Sequence, residues 1–102
     1  MQPKIIKQAD GTYIIDGELN MHTVPEAAKE LIAMLPGTQG EKLTIDLTAV
    51  SRSDSAGVAL LVDVMQHAKA AKLTLSFTNL PQQMKDIAGV SGLLDILPLS
   101  EN

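Results

Sequence analysis

Residues 51–65 read SRSDSAGVALLVDVM, and this stretch holds the side chains best placed to do chemistry. Ser51, Ser53 and Ser55 alternate with Arg52 and Asp54, and Gly57 then opens an apolar run. A serine in this setting is a nucleophile, a helix cap, or a hydroxyl displayed for another protein to read. Nucleophilic catalysis needs a base within hydrogen-bond reach. Only His22 and His67 are available, and Ser55 lacks the G-x-S-x-G elbow. On a helix starting at Ser55, His67 would sit about 18 Å away by helix rise. His22 reads as a polar loop residue. Two histidines without a clustered third ligand make a poor metal site. The chain has no cysteine, which excludes disulfides, thiol nucleophiles and thiolate ligands. The expectation is therefore no catalytic residue, no metal and no cofactor.

Capping is the plainer role for this turn. Ser53 or Asp54 as N-cap supplies an oxygen to the free N–H groups of a first helical turn, worth about 1 kcal/mol. Ser55 then falls in that first turn with its hydroxyl outward. A phosphate there would meet the positive end of the helix dipole, and Asp54 would oppose it by like-charge repulsion. A cap and a displayed serine are compatible.

The elements that must hold this turn follow from periodicity. KIIKQ (4–8) and TYIIDGEL (12–19) read as a hairpin closed by the ADG signal at 9–11, with Tyr13 and Ile15 on one face and Ile14 on the other. A helix follows, with Thr23 as cap, Pro25 in its first turn and Glu26 set against its dipole. Val24, Ala27, Ala28, Leu31, Ile32 and Leu35 mark its apolar face, and Pro36-Gly37 ends it. KLTIDL (42–47) and KLTLSF (72–77) alternate as strands do. Residues 55–71 carry the longest helical pattern. Pro81 opens a shorter helix to about Ala88 that turns Met84 and Ile87 inward. GVSGLLDILPL is expected to close the chain with one more short helix. The order β-β-α-β-α-β-α implies an α/β fold: a mixed sheet with parallel crossovers.

At 100° per residue the 55–71 helix sorts into two sides. Val58, Leu61, Met65 and Ala68, flanked by Val62 and Val64, should pack on the sheet. Asp63, Gln66, His67 and Ala70 lie opposite, with Ala56, Ala59 and, at the edge, Leu60. The outer face is thus smooth near Ser55, which suits docking as well as it suits a helix end covered by its own loops.

At 102 residues the chain has the size of one domain. Its eight Lys and Arg are scattered, its net charge is −4, and it has one Tyr, one Phe and no Trp. Nucleic-acid binding would need a basic patch and stacking aromatics, so no nucleic-acid partner is expected. No stretch approaches the roughly 20 apolar residues of a membrane span, and the N-terminus shows no signal-peptide pattern. The protein is expected to be cytoplasmic, without inserting in a membrane itself.

Three pieces of the chain, DGELNMHT (16–23), IDLTAVSRSDSAGVALL (45–61) and GVSGLLDILP (89–98), together resemble the STAS domain family. The central piece is the most specific: a strand ending in Asp, a short loop, then D-S-small-G opening a helix. The resemblance implies one STAS domain over 1–102, a small mixed β-sheet with helices mainly on one face, and binding rather than catalysis. It implies a partner surface at Asn20, His22, Arg52, Ser53, Asp54, Ser55, Ala56, Gly57, Ala59, Leu60 and Asp63. Two branches of the family fit. Ser-Arg before the D-S and a Leu-rich helix start are closer to the small cytoplasmic (MlaB-like) subunit of phospholipid-transporting ABC complexes that maintain outer-membrane lipid asymmetry. There the partner would be the ATPase subunit, and the protein would sit peripheral to the inner membrane through it. In the other branch, the anti-sigma-factor antagonists, the partner is an anti-sigma kinase and a serine at the Ser55 position is phosphorylated. Both branches usually carry Asp where this chain has Asn20, which removes a negative charge beside any phosphate. Ala56 stands for the more common Ser or Gly.

Overall fold

The computed structural model describes residues 2–8, 10–37 and 42–100. Strand β1 (Lys4–Lys7) and β2 (Thr12–Leu19) form the expected antiparallel hairpin, with Lys7 opposite Tyr13. Its turn is held by Asp10, whose carboxylate accepts from Thr12 N–H at 3.1 Å. Ala9, part of the turn signal, lies outside the described residues. Helix α1 (Val24–Met34) ends in a 3-10 turn at Leu35–Gly37. Then come β3 (Lys42–Asp46), β4 (Val50–Ser53), α2 (Ser55–Ala70), β5 (Thr74–Thr78), α3 (Gln82–Val90) and β6 (Leu99–Ser100).

The sheet runs β1-β2-β3-β5-β6, and every pairing after the hairpin is parallel. Register explains why the helices gather on one side. Leu43 pairs with Leu75 and Ile45 with Phe77, which puts one apolar row next to another. Tyr13, Ile15, Leu43, Ile45 and Phe77 are all buried. On the other face the same register aligns Thr12, Thr44 and Ser76, then Ile14, Asp46 and Thr78, a largely polar surface that stays partly exposed. Helix α2 lies over the apolar face, with α1 and α3 packed along its two sides. Each large core side chain stabilises the fold by about 1.5–3 kcal/mol before entropy is subtracted.

Two segments depart from the sequence expectation. Strand β4 was not expected, since four residues with a single large apolar side chain carry no strand period. It forms because β2 is longer than its neighbour: β3 pairs with Thr12–Ile14, leaving the rest of that edge vacant. The chain leaves β3 through the turn at Asp46–Thr48, then returns to the same edge, pairing Val50–Ser53 with Gly17–Leu19. Gly17, at φ +135, makes the bulge where the register shifts, and a Cβ there would lie 3.0 Å from Pro3. The second departure is the C-terminus, where a turn and β6 replace the expected helix. Phe77 N–H donates to Pro98 O at 2.9 Å, drawing the segment onto the sheet edge.

Candidate functional site

The turn from β4 into α2 is built from short, satisfied contacts. Asp54 is the N-cap, in extended conformation, and its carboxylate accepts from Ala56 N–H at 2.8 Å. Of the two capping candidates, Ser53 has another job. Its side chain is buried, and its hydroxyl donates to Asp54 O at 3.1 Å. Its N–H donates to the Gln83 side chain, Oε1, at 2.7 Å. Gln83, from the first turn of α3, thus stands in for a strand neighbour on the outer side of β4. Ser55 follows as the first residue of α2 and is exposed.

Gly57 determines how α2 sits. A Cβ at this position would lie 2.0 Å from Ser53 Oγ and 3.1 Å from Leu19 Cβ. The helix backbone therefore approaches β4 and β2 more closely than any side chain would allow. Gly57, Val58, Leu60, Leu61, Val64 and Ala68 form the buried stripe, while Met65 is only half-buried. The stripe is rotated from the expected one toward Leu60 and Val64. Leu60 is 1% exposed, which corrects its placement on the outer surface. The reason is the second layer: His67, two turns further along the same flank, lines a groove with Ile32, Leu35 and Pro36. That flank faces α1, so Leu60 is covered by a helix the wheel does not include.

The expected partner residues therefore divide. Ser53, Gly57 and Leu60 are buried and support the surface from beneath. His22, Arg52, Asp54, Ser55 and Ala59 are exposed, with Asn20, Ala56 and Asp63 half-buried. Asp63 lies at the far margin, where its carbonyl is 2.9 Å and its carboxylate 3.3 Å from His67 Nδ1.

The loop after β2 is fastened to this turn. Leu19 O accepts from Asp54 N–H at 3.1 Å, and Glu18, Asn20, Arg52, Ser53, Asp54 and Gln83 line a shared cleft of 190 Å³. Asn20 organises the loop. Its Oδ1 accepts from His22 N–H at 2.8 Å and Thr23 N–H at 3.1 Å, and its Nδ2 donates to Glu18 Oε2 at 2.8 Å. Thr23 makes no side-chain cap for α1, contrary to expectation. Its hydroxyl donates instead to Glu18 O at 2.9 Å, and its carbonyl accepts from Gln2 Nε2 at 2.8 Å. The Asn amide can both accept and donate here, where a carboxylate would only accept and would face Glu18 as a like charge. Glu18, Gln83 and Gln2 were not singled out from sequence, and no local pattern marks them. Gln83 and Gln2 act through contacts between distant segments, with Ser53 and Thr23, while Glu18 acts within its own loop, on Asn20 and Thr23.

Among the described residues no group of three or more His, Cys, Asp or Glu side chains is gathered as a metal site. No helix among them is long and apolar enough to cross a membrane.

Comparison with known proteins gives a consistent set of relatives. The family described as "Mlab, STAS domain" matches residues 6–98. The anti-sigma-B factor antagonist of Listeria monocytogenes is 29% identical over 97 residues, covering 92% of this chain and 84% of that protein. The anti-sigma-B factor antagonist of Bacillus subtilis is 29% identical over 86 residues, covering 84% and 77%. Among solved structures, the anti-sigma factor antagonist SpoIIAA in its unphosphorylated form aligns with a TM-score of 0.73 at 19% identity, covering 98% of this chain and 89% of that one. That structural likeness speaks to the fold.

Proposed function

Because the chain belongs to the STAS domain family, we propose that it works by binding, as an anti-sigma-factor antagonist whose partner is an anti-sigma kinase. The observation that carries this reading is the similarity to anti-sigma-B factor antagonists, which extends over 92% of the chain rather than over one motif. The site supports it physically. Ser55 is exposed at the first position of α2, where a kinase can reach its hydroxyl. Ala56 and Ala59 leave the adjoining helix surface low enough for close approach.

A phosphate on Ser55 would add about −1.5 to −2 charges. The helix dipole favours that charge, while the Asp54 carboxylate next to it in the chain opposes it. The two effects offset one another, so phosphorylation leaves α2 folded and changes the character of the contact. A partner surface shaped for a neutral hydroxyl must then desolvate a dianion, and affinity falls. The test is binding of the purified kinase to the unmodified and the Ser55-phosphorylated protein. The reading predicts at least tenfold weaker binding after phosphorylation. Equal binding by the two forms would remove Ser55 as a switch.

A second reading is favoured by the family description itself and by Ser51-Arg52 ahead of Ser53-Asp54. On this reading the same face docks on the ATPase subunit of a phospholipid-transporting ABC complex and supports its assembly or activity, with the protein held at the inner membrane through that partner. Affinity purification from the cell that makes the protein separates the two, since the recovered partner is either a kinase or an ABC ATPase.

A further inference from the structure

Five large apolar side chains are exposed among the described residues: Ile6, Met21, Val90, Leu94 and Ile96. Only Met21 lies in the loop that borders the α2 start, and it is 69% exposed. Its neighbours hold it firmly. Asn20 and Thr23 exchange hydrogen bonds in both directions, since Asn20 N–H donates to Thr23 Oγ1 at 2.9 Å and Thr23 N–H donates to Asn20 Oδ1 at 3.1 Å. Val24 N–H closes the turn onto Asn20 O at 2.9 Å. The Leu19–Asp54 and Gln2–Thr23 bonds tie the loop to its surroundings on two sides. A turn with its polar groups spent internally thus carries a flexible thioether into solvent.

Such an arrangement costs little ordering when the side chain is captured, because the backbone beneath it is already fixed. Methionine also adapts to an irregular apolar pocket better than a branched side chain does. The charges around it are mainly acidic: Glu18 and Asp54 line the neighbouring cleft, with Arg52 as the one cation there. We propose that Met21 is the apolar anchor of the docking face, received by a hydrophobic pocket on the partner protein whose rim carries basic side chains. This deepens the antagonist reading and rests on it.

The experiment titrates the purified anti-sigma kinase into wild-type protein, Met21→Asp and Met21→Leu, with circular dichroism verifying each fold. Binding should weaken by roughly tenfold or more for Met21→Asp, as when a charge replaces a buried anchor, and by much less for Met21→Leu, which keeps the apolar volume but loses some adaptability. With methionine methyl groups isotopically labelled, the Met21 signal should shift on binding, while that of the fully buried Met84 stays in place. Raising the salt concentration should weaken binding if the rim is basic. Wild-type affinity in Met21→Asp with an unmoved Met21 methyl would overturn the anchor and leave the antagonist reading standing. Salt-independent binding would overturn the basic rim. A kinase that does not bind wild-type protein would overturn both the antagonist reading and the anchor built on it.

Discussion

Replacing Gly57 with alanine tests whether close approach between α2 and the β4 turn sets the geometry of the docking face. Alanine is the better helix former, by up to about 1 kcal/mol in a helix interior and less in a first turn. Against that, the new Cβ would lie 2.0 Å from Ser53 Oγ. The hydroxyl can rotate aside, but it then gives up its bond to Asp54 O, worth about 0.5–1.5 kcal/mol. The contacts at 3.1 Å to Leu19 Cβ and 3.3 Å to Ser53 Cβ remain, and no side-chain rotation relieves them. Overpacking of this kind costs roughly 1–3 kcal/mol. The sum is a net loss of roughly 0.5–4.5 kcal/mol, or a fall in Tm of roughly 4–8 °C for each kcal/mol. Urea denaturation followed by circular dichroism measures it. Repeating Gly57→Ala in a Ser53→Ala background removes the hydroxyl part of the clash, so the second cost should be smaller than the first. A Gly57→Ala protein as stable as wild type, or an equal cost in both backgrounds, would refute the reasoning.

Other outcomes follow from the same contacts. Leu60→Ala should lose about 2–5 kcal/mol, because the side chain is buried within the apolar core; a loss under about 0.5 kcal/mol would return Leu60 to the surface. Asp54→Ala should cost about 0.5–2 kcal/mol in thermal or urea unfolding through loss of the bond to Ala56 N–H. At Asp46, burial pushes the carboxyl pKa up, but hydrogen bonds from the Thr48 hydroxyl, the Thr48 N–H and the Asn79 amide outweigh it and leave the pKa lowered. A lowered folded-state pKa stabilises above the unfolded value, about 3.9, and that contribution fades as pH falls through the folded value. Wild type should therefore exceed Asp46→Asn in stability at neutral pH, with the gap narrowing below about pH 4; a gap that stays constant across that range would contradict the assignment.

How far the sequence carries depends on how local the cause is. The hairpin, the alternation of Leu43 with Ile45 and the helix from Ser55 were legible, because each follows from a period within one segment. So was a cap before Ser55, although only the structure separates Asp54, which caps, from Ser53, which is buried. Strand β4 was not legible, since it exists to fill an edge that β2 leaves open beyond Gly17. Leu60 was misplaced because a wheel describes one helix, while burial depends on α1 as well as the sheet. The two residues of β6 are too few to show a period, and only their register with Phe77 and Thr78 makes them a strand. Within the site, Asn20 and Arg52 stood out from the pattern around them. Gln83 did not, because the bond to Ser53 spans thirty residues.

The most direct test of the docking face uses Ala59, which is exposed on the same stripe as Ser55 and supports no core contact of the kind Leu60 makes. Tagged wild-type protein and Ala59→Arg would be purified from the cell that makes the protein, and the kinase or ATPase recovered with each quantified. Ala59→Arg should fold normally and recover less than a tenth of the partner, because a long cation occupies the contact. Equal recovery by a folded Ala59→Arg protein would contradict the claim that the start of α2 is where the partner binds.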